Sequence, residues 1–189
     1  MKIIQLHKSE KSLIQKAIKS HRASQQQLFD TYAPKMLGVC RKYIKDQHHA
    51  EEVMLNGFLK VFTHLKDFAH QGSFEGWIRK IMVREAISFL RKQQQLFFVE
   101  DAAAYSRDAE DSLHNASEVA HLQAIIDGLP TGYRTVFVLY AIEGYKHREI
   151  AALLKISENT SKSQLSKARR MLQERIEEQK RKDHGAIGI

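Results

Sequence analysis

Proline and glycine are scarce in this chain, two and nine among 189 residues. Few breakers leave few tight turns, and alternating β-branched runs are nearly missing too, so the expected fold class is all-α. The single cysteine, Cys40, excludes an internal disulfide. It falls in the apolar register of an expected helix, where a thiol is first of all a buried side chain. No apolar run reaches the roughly 18 residues that a membrane span needs, and the start MKIIQLHKSEKS lacks the apolar core of a secretory signal. A cytoplasmic protein without membrane insertion is expected. Glycine-rich phosphate loops, paired cysteines and a nucleophile elbow are missing as well, which argues against an enzyme. His48 and Glu52 stand four residues apart but have no third ligand at helical spacing, so neither a metal nor any other cofactor is expected. Acids are the minority charge, 22 against 30 lysines and arginines, and the formal charge of +8 suits a polyanionic partner.

What is present is most specific between Tyr145 and Arg170, YKHREIAALLKISENTSKSQLSKARR. A first helix is expected from about Lys146 to Leu154, with Ile150, Ala151, Leu153 and Leu154 inward. A turn follows at Lys155-Ile156-Ser157, where Ser157 can cap the next helix and Ile156 can pack inward as a staple. In that second helix Leu165, Ala168, Leu172 and Ile176 recur at steps of three or four, while Asn159, Lys162, Ser163, Ser166, Lys167 and Arg170 gather opposite. The pattern is a helix-turn-helix whose second helix offers hydrogen-bond donors to DNA. Its N-terminal part meets base edges in such motifs, so Asn159, Lys162 and Ser163 are the candidate base contacts. Lys167 and Arg170 are the candidate phosphate contacts.

Before this motif, residues 9 to 92 read as a run of helices. Ser9 is expected to cap a first helix with Leu13, Ile14, Ala17 and Ile18. Ser24 is expected to cap a second with Leu28, Phe29, Tyr32, Met36, Leu37, Cys40 and Tyr43, kinked or restarted at Pro34. A third helix, Ala50 to about Leu65, carries Val53, Phe58, Val61, Phe62 and Leu65. After a loop from Lys66 to Ser73, a fourth carries Phe74, Trp77, Ile78, Ile81, Ile87 and Leu90 with Arg79, Lys80, Arg84, Arg91 and Lys92. Trp77, in step with Ile78 and Ile81, reads as packing. From Gln94 to Glu118 six acids face one base, Arg107, among small and polar residues, which suggests a flexible linker. Apolar spacing resumes with Val119, Leu122, Ile125 and Ile126, stops at Gly128-Leu129-Pro130, and continues through Tyr133, Val136, Phe137, Tyr140 and Ala141 to a stop at Gly144. The expectation is two small helical domains, 1–92 and 118–183, joined by an acidic flexible linker, 93–117, with a tail at 184–189.

Taken in order, these segments resemble an RNA polymerase sigma factor of the extracytoplasmic-function (ECF) class in the sigma-70 family. LPTGYRTVFVLYAIEGYKHREIAALLKISENTSKSQLSKARRML (129–172) looks like region 4. LFDTYAPKMLGVCRKYI (28–44), AEEVMLNGFLKVF (50–62) and GSFEGWIRKIMVREAISFLRK (72–92) look like region 2. The resemblance implies a sigma factor that binds core RNA polymerase and directs promoter-specific initiation. Region 2 would bind the clamp of the β′ subunit and open the minus-ten element, and region 4 would read the minus-thirty-five element. An anti-sigma factor is a partner this class often has. The positions carried over for core binding are Glu51, Glu52, Asn56 and Phe58. For minus-ten recognition they are Phe68, His70, Gln71, Ser73 and Phe74, as surfaces for unstacked bases, with Arg79, Lys80 and Arg84 on the backbone. The chain departs from the family pattern at Leu55 and Asn56, at Arg84 where Asn is usual, at Ser161 where an apolar residue is common, and at Gln164 where Arg is common. The last change is expected to alter promoter choice. The alternative is an ordinary helix-turn-helix regulator binding duplex DNA without being a polymerase subunit. It accounts for residues 129 to 182 but leaves the basic, aromatic N-terminal helices without a job.

Overall fold

The computed structural model describes residues 2–93 and 118–186, and among them there are helices and turns but no strand. The chain divides into two units, Met1–Phe89 and Leu90–Ile189. The expected acidic linker lies, but for its first residue and the adjoining Glu118, outside the described residues. No described helix is long and apolar enough to cross a membrane.

The first unit is built from α1 (Lys2–Ile18), α2 (Arg22–Arg41), α3 (Gln47–Thr63) and α4 (Phe74–Lys92), with α2 packed against both α1 and α3. Ile14 and Ala17 meet a core supplied by Leu28, Met36 and Val39 of α2, Val53 and Val61 of α3, and Ile78, Met82 and Ile87 of α4, all buried. Each such side chain contributes about 1.5–3 kcal/mol on burial. Gly57 lets α3 approach α4: a Cβ there would lie 2.3 Å from the Met82 sulfur. Cys40 is fully buried, and burial, followed by the Glu85 carboxylate, pushes its thiol up to about 12.

Three starts differ from the sequence reading. α1 is already helical at Lys2, so Ser9 lies inside it. α2 is capped by His21, whose Nδ1 accepts the Ser24 backbone N–H at 3.3 Å, and Ser24 itself is buried in the first turn. An imidazole nitrogen thus fills the acceptor role that sequence reasoning reserves for a hydroxyl or carboxyl. α2 then runs unbroken through Pro34, which is exposed while Tyr32, Ala33 and Met36 are buried around it. Burial on both sides outweighs the lost hydrogen bond, so the helix does not restart. α3 begins at Gln47, with the Asp46 carboxylate accepting the His49 N–H at 2.8 Å. That bond, first among the causes, holds Asp46 below its ordinary pKa.

The second unit consists of α5 (Glu118–Asp127), α6 (Thr131–Phe137), a π-helical turn at Val138–Ile142, α7 (His147–Leu154) and α8 (Glu158–Ala186). α6 packs on α8 through Leu129, Tyr133, Ala168, Met171 and Leu172, with Ile125 and Phe137 at the margin. The Arg134 guanidinium is buried 3.6 Å from the Asp127 carboxylate, an ion pair inside the unit. Gly128 sits against Arg175, where any Cβ would collide with the guanidinium. Gly144, at φ +76°, ends the π-helical turn as the sequence suggests.

Candidate nucleic-acid and polymerase interfaces

The helix-turn-helix forms where its sequence places it. The Glu149 carboxylate accepts the Lys146 backbone N–H at 2.8 Å, which fixes the start of α7. Lys155, at φ +58°, turns the chain in the left-handed region, and the backbone N–H of Ile156 after it donates to the Ala151 carbonyl at 3.1 Å. Ser157 caps α8, its Oγ accepting the Thr160 N–H at 2.9 Å. Ile150, Leu154, Leu165, Ala168 and Leu172 are buried as expected. Ile176 is not: it is 40% exposed, because α8 has there run past the helices that cover its inner face.

Asn159, Lys162, Ser163, Ser166 and Arg170 are exposed on α8, and Lys167 is half-buried. The side chains differ in freedom. Ser163 Oγ donates to the Thr160 carbonyl at 3.0 Å, and the Arg170 Nε lies 3.7 Å from Glu174 on the same helix. Lys167 Nζ sits 6.0 Å from the centre of the Tyr133 ring, which draws it back toward the unit. Gln164 is only 5% exposed and faces inward with Ser161 and Leu165. The expectation that its replacement of an arginine alters promoter choice is therefore corrected: its side chain is on the packed side of α8, away from the polar face.

In the first unit, the loop between α3 and α4 opens with a 3-10 turn, Leu65–Asp67. The geometry corrects the assignment of its aromatics as stacking surfaces. Phe68 is 7% exposed and Phe74 1%. Their rings lie 5.1 Å apart, and Trp77 stands 5.5 Å from Phe68 and 5.8 Å from Phe74, nearly parallel to the latter. Burying these rings against one another and Tyr32 outweighs presenting them to water. Apart from Ala69, the tip of the loop exposes no apolar side chain: it presents His70 at φ +56°, Gln71, Gly72 at φ +93° and Ser73. Ser73 also caps α4, accepting the Gly76 N–H at 3.1 Å. Trp77 is half-buried, in keeping with its reading as packing. Beyond the loop, Lys80 and Arg84 are exposed one turn apart on α4 and Arg79 is half-buried, whereas Lys35 and Lys60 are occupied by Glu75 at 2.8 Å and Glu85 at 2.7 Å. On α4, positive charge thus faces solvent at Lys80 and Arg84 near the loop, and again at Arg91 and Lys92 in the last turn.

The α3 face needs one further correction. Glu52 and Asn56 are exposed and Glu51 is half-buried, its carboxylate accepting from Gln47 Nε2 at 3.0 Å. Phe58 is buried, its ring 4.8 Å from Phe29 and 6.1 Å from Phe62, and it reaches the surface only as part of the lining of a groove. The exposed apolar side chains are Leu55, at 52%, and Leu59, at 64%. Phe29, Leu55, Phe58, Leu59, Phe62 and Thr63 line a shallow groove of about 450 Å³. Sequence reasoning missed Leu59 as surface because the apolar sector of α3 is wider than one neighbouring helix can cover, so the period does not say which part of it is buried. Among the described residues, no group of three histidines, cysteines or acids is placed to hold a metal ion.

Comparison with known proteins agrees with these two units. Residues 28–95 match the family described as Sigma-70 region 2, and residues 121–172 match Sigma-70, region 4. The ECF RNA polymerase sigma factor SigE of Mycolicibacterium smegmatis is 27% identical over 154 residues, 78% of this chain and 60% of SigE, so part of that relative has no counterpart in the alignment. The ECF RNA polymerase sigma factor SigW of Bacillus subtilis is 25% identical over 181 residues, 87% of this chain and 97% of SigW. In fold, the chain is similar to the sigma factor RpoE of Bartonella quintana, solved in complex with the anti-sigma factor NepR, with a TM-score of 0.52 at 19% identity over 80% of this chain and 96% of that one. With both regions matched in order, on two helical units whose polar faces lie on α3, α4 and α8, the chain belongs to the sigma-70 family of RNA polymerase sigma factors, in its ECF class.

Proposed function

We propose that this sigma factor divides promoter recognition between its units and docks on polymerase through α3. The observation that carries the reading is the α3 surface: two exposed leucines, Leu55 and Leu59, flanked by exposed Glu52 and Asn56. An apolar centre with a polar rim is what a protein interface requires, and a soluble surface has no reason to keep it uncovered. Its partner is the clamp of the β′ subunit of core RNA polymerase. The minus-ten element is held by Lys80 and Arg84, with Arg79 beside them, while His70, Gln71 and Ser73 form the rim against which separated bases rest. Phe68 and Phe74 support that rim from below. On α8, Asn159, Lys162, Ser163 and Ser166 face the base edges of the minus-thirty-five element, and Arg170 and Lys167 hold phosphates. The polymerase supplies all the chemistry, and the protein works in the cytoplasm. An anti-sigma factor is a further partner, by analogy with the complex of the Bartonella relative.

The test is a titration of labelled protein with sigma-free core polymerase, followed by promoter fragments. The reading expects tight binding to core, and sequence-selective DNA binding that depends on core. Selective binding to duplex DNA by the protein alone, with no affinity for core, would replace it with the ordinary regulator.

A further inference from the structure

Three elements of the second unit meet in a polar chain that the proposed contacts do not use. The His147 ring, at the first position of α7, stacks on Tyr140 of the π-helical turn, with centroids 4.7 Å apart and 25° between planes. Its Nδ1 lies 2.8 Å from Ser161 Oγ on α8, a hydrogen bond whichever atom carries the proton. The Arg169 guanidinium, two turns further along α8, lies 5.6 Å from the centre of the same Tyr140 ring. Ser161 is completely buried. A hydroxyl in that place costs stability unless it is paired, and His147 is the partner that pairs it. An apolar contact there would exclude water equally well, but it would not be directional. A hydrogen bond to one ring nitrogen fixes how α8 is rotated and advanced against α7.

Rotation matters because Ser161 precedes the exposed Lys162 and Ser163 in the first turns of α8. Successive residues of a helix point about 100° apart, so holding Ser161 inward aims its neighbours outward in one direction. We infer that His147 and Ser161 are positioning residues for promoter recognition: their hydrogen bond, backed by Tyr140, sets the approach of α8 to base edges and thereby the selectivity of the protein. The inference rests on the reading of α8 as the minus-thirty-five helix.

The experiment uses full-length protein assembled with core polymerase. Open-complex formation is compared on a selected promoter and on the same promoter with one minus-thirty-five base pair changed, alongside helicity and Tm. His147→Phe keeps a ring on Tyr140 but removes the ring nitrogen; Ser161→Ala removes the hydroxyl; His147→Asn keeps a polar atom near the Nδ1 position. His147→Phe and Ser161→Ala should each cut the preference about tenfold, the double variant should lose no more than either, and His147→Asn should stay within about twofold of the parent. Lowered Tm with unchanged preference would make the pair merely structural and overturn the inference, as would losses that multiply in the double variant. A parent holoenzyme indifferent to the minus-thirty-five change would be a different failure, that of the α8 reading itself. Should His147→Phe lose helicity, Ser161→Ala and His147→Asn decide by the same ratio.

Discussion

At the scale of single residues, neighbouring side chains of one helix have opposite tasks. Phe58 and Leu59 are adjacent on α3, but only Leu59 is exposed. Phe58→Ala should cost about 3–5 kcal/mol of stability by leaving a cavity beside Phe29 and Phe62, whereas Leu59→Asp should leave Tm nearly unchanged and weaken core binding at least about tenfold. Thermal melts and core titrations separate the two, and a folded Leu59→Asp protein that bound core normally would place the interface elsewhere. On α8, Lys162→Ala should cost roughly 1–3 kcal/mol and relax preference at one promoter position, since a base contact carries sequence information. Arg170→Ala should instead weaken all sequences alike and flatten the salt dependence by about one unit of slope, less if Glu174 already holds the guanidinium. Equal behaviour of the two variants would merge the roles assigned to them. Cys40 gives a chemical check on burial. Its thiol is pushed from 9.0 to about 12, so the folded state keeps its proton longer than the unfolded chain and loses stability as pH rises through that window. At pH 8 iodoacetamide should modify native protein far more slowly than urea-unfolded protein, and similar rates would mean the thiol is accessible.

At the scale of elements, the loop between α3 and α4 should act after duplex binding. Separated bases need a surface that paired bases do not, and the exposed side chains there are His70, Gln71 and Ser73. His70→Ala and Gln71→Ala should slow open-complex formation on closed templates and recover in part on pre-melted ones. Equal defects on both templates would remove the loop from strand opening. Phe74→Ala should fail on both, through loss of fold. The same elements mark where the sequence was legible. α8 reads well because Leu165, Ala168 and Leu172 define one side, and the 161, 164/165, 168 spacing already contains the signal that Gln164 faces inward. α3 reads poorly because Leu55, Phe58, Leu59, Val61 and Phe62 form an apolar sector of about 160°, wider than its neighbours cover, and only packing against α2 and α4 selects the covered part. Phe68 and Phe74 mislead for a related reason: in a loop, an aromatic suits a base or a core equally, and Trp77 turns out to complete a core. The His147–Ser161 bond spans 14 residues and depends on how α7 crosses α8, which no periodicity encodes. His21 as a helix cap was missed because imidazole is uncommon in that role.

At the scale of the whole molecule, a chain of formal charge +8 suits a partner that holds both DNA and protein. In the proposed reading neither unit suffices alone: α3 would dock the protein on polymerase, and α8 would hold the DNA. The most direct measurement is transcription by sigma-free core polymerase on a library of promoter sequences, with and without the purified protein. New start sites are expected that share sequence at both the minus-ten and minus-thirty-five positions and that vanish when Leu55 and Leu59 are both changed to Asp. No new start sites from a protein shown to be folded, with core binding absent, would contradict the proposed reading.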